Sequence, residues 1–144
     1  SQTESRTVKE QRELSNNKAR GIFWSMLEND KEGLIGIMNY EGISATESDP
    51  ETALNSVISK YFESYENIDS FLDTYEKYKE DPKFKEELKI MNILLNEKGL
   101  KYLERDGRQY MLKGKELGTT PKTVAKSIAN DTKISVEFFK LIDI

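Results

Sequence analysis

Neither cysteine nor histidine occurs in the 144 residues of this chain. Without thiols there is no disulfide framework, no thiolate zinc site and no cysteine nucleophile. Without imidazole the commonest general base is missing, which removes Ser-His-Asp and Cys-His chemistry. The lack of cysteine is in keeping with a reducing compartment. No run of about 18 apolar residues is present, so no membrane-spanning helix is expected. The opening SQTESRTVKEQRELSNN has no apolar segment of the kind a secretory signal needs. The expected location is the cytoplasm or a virion. A phosphate-cradling glycine loop is absent too, because KGKELGTT holds lysines and glycines at the wrong spacing. No pair of carboxylates has a spacing with mechanistic meaning. The expectation is a non-enzymatic protein with no metal or cofactor.

What is present suits a folded domain. Hydrophobic residues make up 36% of the chain and charged ones 33%, so a core and a charged surface can coexist. Seven Tyr, six Phe and one Trp supply large buried areas and argue against disorder. The net charge of −4 hides a gradient. Residues 1–45 hold six basic and seven acidic groups (−1), and residues 46–99 hold seven and thirteen (−6). Residues 100–144 hold nine and six (+3), so only the last third is suited to an anionic partner.

Residues 1–15 are polar, with Val8 and Leu14 their main apolar groups, and are read as an exposed arm or a solvated helical lead-in. A single helical domain is expected over 16–144, with 100–144 as a candidate subdomain. Ala19, Ile22, Phe23, Met26 and Leu27 recur at helical spacing, and Leu34 to Met38 continue after ENDKEG. Asp49 before Pro50 marks another helix start, followed by the stripe Leu54, Val57, Ile58, Tyr61, Phe62 and Tyr65. The segment NIDSFLDTYEKYK repeats the pattern. A further helix spans 82–98, opened by Asp81-Pro82 and closed by Gly99 in the left-handed conformation.

Asp106-Gly107 then predicts a hairpin near residues 100–112, with Tyr102 and Tyr110 near each other across it. Thr120-Pro121 starts a helix with Val124, Ala125 and Ile128 inward. The ending KISVEFFKLIDI alternates like a strand, yet Ser135 can cap a helix, and helix is the reading taken. The fold class expected is mainly α, a compact bundle of five to seven short helices with one small hairpin.

Two segments raise nucleic-acid binding. The hairpin carries Arg105, Arg108, Lys113 and Lys115, residue types suited to the wing of a winged helix. Against it, Glu86, Glu87 and Glu97 stand on the expected outer face of the preceding helix, beside Lys83, Lys85, Lys89 and Lys98, and carboxylates repel phosphate. The second segment, TTPKTVAKSIANDTKISVEFFKLI, resembles a helix-turn-helix, with Lys122 and Lys126 on its first helix and Ala125 at the close-packed position. It lacks the turn glycine and holds Glu137, Phe138 and Phe139 where base-reading residues are wanted. Two further patterns read as structural. ENDKEGLIGIMN imitates a calcium loop but has Glu28 first and Asn39 twelfth, without the bidentate Glu. Tyr61, Tyr65, Tyr75 and Tyr78 sit at helical spacing beside Leu and Phe, as core edges do.

The ending FFKLIDI is costly to leave in water, which makes Phe138, Phe139, Leu141 and Ile142 candidates for docking on the protein itself or on a second subunit. Capped short helices, phrases such as DPKFKEEL, Lys- and Glu-rich faces and the absence of Cys and His resemble small helical virion or packaging proteins of bacteriophages. That resemblance implies a structural or assembly protein working through protein partners or self-association. The alternative is a small winged-helix or helix-turn-helix DNA-binding regulator using residues 100–144.

Overall fold

Side-chain caps and tight turns decide where most elements begin. The computed structural model describes residues 2–96 and 99–143, with side chains from residue 7. Seven α-helices and one three-stranded sheet are found among them: α1 Gln2–Asn29, α2 Lys31–Tyr40, α3 Glu51–Tyr61, α4 Tyr65–Glu80, α5 Pro82–Leu95, β1 Glu104–Asp106, β2 Gln109–Leu112, β3 Lys115–Gly118, α6 Pro121–Ala129 and α7 Thr132–Ile142. The mainly α class is the one expected. None of the described helices is long and apolar enough to cross a membrane. The chain divides into two compact units, 1–77 and 78–144, with the boundary near the end of α4.

In unit 1 the polar opening is helical and continuous with α1, and residues 7–14 are all exposed. Asp30 breaks that helix from the next one. Its side chain accepts a hydrogen bond from the Gly33 N–H at 3.1 Å, capping α2, so the calcium-like sequence is a helix junction. α1 packs on α2, and Phe23 and Met26 of the first and Leu34, Ile37 and Met38 of the second are all buried. Phe62 and Phe71 meet edge to face at 5.0 Å between α3 and α4. The expected cap of α3 is corrected: Pro50 holds the cap position without a side-chain bond, and the Asp49 carboxylate instead accepts from the Thr46 N–H at 2.9 Å. The carboxylate closes the turn before the helix because proline, not aspartate, abuts the first free N–H groups.

Unit 2 follows its caps more closely. Asp81 accepts from the Lys83 N–H and Pro82 begins α5. The helix stops at Leu95, short of the expected 98; Glu97 and Lys98 lie outside the described residues. Gly99 is not left-handed, with φ −58° and ψ −53°. Glycine is needed there for another reason: a Cβ would run into the Ile93 carbonyl oxygen and come within 2.5 Å of the Leu94 Cα. The chain turns back against the last turn of α5 too closely for any side chain.

The hairpin is one residue out of the expected register and one strand larger. Arg105 pairs with Tyr110 and Asp106 with Gln109, so Gly107-Arg108 form the loop. Only Gly107 has positive φ (+62°), as in a turn with glycine first. Tyr102 lies in a short 3-10 turn before β1 and does not face Tyr110. A second two-residue loop, Lys113-Gly114, has positive φ at both positions (+50° and +78°) and adds β3 to the sheet. The order β1-β2-β3 makes an antiparallel meander.

Candidate nucleic-acid interface

The C-terminal helix pair is built from the backbone outward. Thr120 accepts from the Thr123 N–H at 3.2 Å and starts α6; Asp131 accepts from the Ile134 N–H at 3.1 Å and starts α7. Each such cap stabilises its helix by about 1 kcal/mol. Ser135, expected as the cap, lies a turn further in. Between the helices Asn130 (φ −93°) and Asp131 (φ −129°) make the corner without a left-handed residue, which is why no glycine stands there.

Packing then fixes which face looks out. Val124, Ala125 and Ile128 of α6 are fully buried, and α6 packs on α5, β3 and α7. The Ser127 hydroxyl donates to the Leu117 carbonyl at 2.7 Å, tying α6 to β3. The Ser135 hydroxyl, 8% exposed, donates to Glu86 at 2.8 Å, tying α7 to α5. Phe138 has no exposure at all and Ile134 has 7%. The apolar side of α7 is therefore spent inside unit 2. Phe139, Leu141 and Ile142 are half-buried, Phe139 beneath the Lys89 ammonium at 5.9 Å.

The outer faces are polar and basic. On α6 Lys122, Thr123 and Lys126 are exposed; on α7 Thr132, Lys133, Val136 and Lys140 are. The sheet contributes from one end. Lys115 reaches Asp131 at 2.6 Å and Lys113 lies 3.9 Å from Glu137, which also meets Lys140 at 3.8 Å. The hydrogen bond from Lys115, then that from the Ile134 N–H, holds the Asp131 carboxyl below its ordinary range. Asp131 and Glu137 thus each have lysine partners. Arg105, its guanidinium 4.7 Å over the Tyr110 ring, and Arg108 are also exposed. Successive turns of a meander lie at opposite ends, so Arg108 is separated from Lys113 by the length of β2 and a residue at each end, roughly 16 Å. The six basic candidates are consequently not one patch: Lys113 and Lys115 adjoin the α6–α7 corner and the arginines do not.

One objection from the sequence is altered. Glu87, placed on the outer face of α5, is 7% exposed, and Glu86 is half-buried against Ser135. Lys133, Val136 and Lys140 were missed, since a segment readable as strand or helix assigns no outward stripe; the 3.6-residue spacing becomes usable only once α7 is known to be helical. No cluster of three or more His, Cys, Asp or Glu able to hold a metal occurs among the described residues. Compared with protein-family models, curated proteins and solved structures, the chain has no significant match.

Proposed function

We propose that unit 2 is a helix-turn-helix module that binds double-stranded nucleic acid, with α7 as the helix presented to it. The observation that carries this is the exposure of Lys122 and Lys126 on α6 and of Lys133 and Lys140 on α7, two capped helices whose apolar faces are turned inward. Charge segregation supports it. Unit 2 holds fourteen basic and eleven acidic groups (+3), whereas unit 1 holds eight and fifteen (−7). Of the apolar residues of α7, Ile134 and Phe138 are buried within the unit, which leaves the solvent side of that helix mainly polar and basic. The test is binding of the full chain to a mixed-sequence 20-base-pair duplex across a salt series. If each of the four lysines meets a phosphate, log K falls with log salt at a slope of about −4. Lys133→Glu with Lys140→Glu should weaken binding and flatten the slope by about 2. Absence of binding at low salt, or an unchanged slope in the double variant, contradicts the proposal.

A second reading has one observation in its favour. An assembly component of the bacteriophage virion or packaging type, acting through protein contacts, would use unit 1, where Leu14 is 68% exposed and Trp24 47%. Light scattering at high concentration decides it: a strict monomer counts against self-association.

A further inference from the structure

We infer that Val136 reads the 5-methyl group of thymine in the major groove, giving this module a preference for A·T-containing sites. The inference rests on the duplex-binding reading above. Val136 is 49% exposed at the middle of the solvent face of α7, one turn from Lys133 on one side and from Lys140 on the other. A β-branched residue gains little from that position. Valine is a poorer helix former than alanine or lysine, and about half of its surface stays in water. Its neighbours in the inward direction, Ile134, Ser135 and Phe138, are all buried, so Val136 stands apart from the core.

The lysines on either side name the occupant. A protein partner suited to an isolated valine would not favour a border of Lys133, Lys140 and, on α6, Lys122 and Lys126; a polyanion would. The eleven-residue α7 is about 16 Å long and an α-helix fits the major groove, about 12 Å wide. With lysines on the phosphates at either side, the residue at the centre of the helix face meets base edges. The one apolar group displayed there is the thymine methyl, which aliphatic side chains contact. Thr132, exposed one turn earlier, carries a methyl and a hydroxyl in the same direction.

The experiment uses the full chain and two 20-base-pair duplexes, one of alternating adenine and thymine and one with uracil in place of every thymine. Uracil lacks only the methyl group, so sequence and pairing are kept. The expected result is about fourfold tighter binding to the thymine duplex, the value of one buried methyl-sized group. Val136→Ser should bind both duplexes alike, near the affinity of the wild type for uracil, and Val136→Ile should keep the preference. Because Val136 is half exposed, neither change threatens folding, and circular dichroism confirms it. Equal wild-type affinities, or a preference that survives in Val136→Ser, overturn the thymine contact alone. Failure to bind any duplex at low salt, a G·C one included, overturns the duplex-binding reading beneath it.

Discussion

Lys113 should be improved by replacement with asparagine. It is the one non-glycine residue with positive φ among those described, at +50°, and it begins the Lys113-Gly114 loop between β2 and β3. A left-handed L-residue costs roughly 1–2 kcal/mol, and asparagine tolerates the region far better because its short amide bonds to nearby backbone. Asn-Gly is also the pair most suited to a two-residue hairpin loop with both φ values positive. Against this gain stands the loss of the Lys113 ammonium, 3.9 Å from Glu137, with the side chains 65% and 36% exposed. A pair so exposed contributes a few tenths of a kcal/mol at most. The net effect of Lys113→Asn is a stabilisation of about 0.5 kcal/mol, which for a unit of this size raises its melting temperature by roughly 2–4 °C. Thermal unfolding followed by circular dichroism and by the near-ultraviolet signal of Tyr110 and its neighbours measures it. Lys113→Val serves as the opposite control, since a β-branched residue is a true outlier at positive φ. A melting temperature lowered by asparagine, or raised by valine, would refute the loop geometry and with it the third strand.

Two other perturbations test the packing. Gly99→Ala should destabilise unit 2 by about 2–3 kcal/mol, because the new Cβ meets backbone atoms of Ile93 and Leu94 that cannot swing aside; an unchanged denaturation midpoint would show that the chain does not approach α5 so closely. Tyr61 should titrate late, with a pKa of about 12, pushed up by burial first and then by the charge and hydrogen bonding of Glu41. Below pH 10 its hydroxyl is protonated in folded and unfolded chains alike and its contribution is fully present. Between pH 10 and 12 only the folded chain retains the proton, so stability falls as pH rises. Phenolate absorbance of wild type against Tyr61→Phe checks this, and Glu41→Gln should bring the late titration part of the way back.

The parts of the fold legible from the residues were those governed by neighbours a few positions away. Asp81-Pro82 and Thr120-Pro121 announced α5 and α6 because a cap and a fixed φ act locally. Asp49-Pro50 carried the same signal and misled, since the Asp49 carboxylate found a nearer donor in Thr46. The third strand escaped because Lys113 hides a turn that asparagine would have advertised. Gly99 does close the segment after α5, but through a close approach to Ile93 and Leu94 and not through a left-handed backbone, which residue type alone does not distinguish. The candidate site was half legible. Lys122 and Lys126 lie on a helix that the sequence marks clearly, whereas Lys133, Val136 and Lys140 become a stripe only after Asp131 caps α7 and Phe138 turns its apolar side inward. Charge density alone also overstated Glu87 as a surface group, because amphipathic spacing does not say which carboxylate the core will accept.

The most direct test is a titration of the isotopically labelled full chain with a 20-base-pair duplex at low salt, following backbone amide shifts. Duplex binding through α7 predicts the largest changes at Thr132, Lys133, Val136 and Lys140, with smaller ones at Lys122 and Lys126, all reversed by added salt. Shifts confined to residues 7–77, or none anywhere, would contradict it.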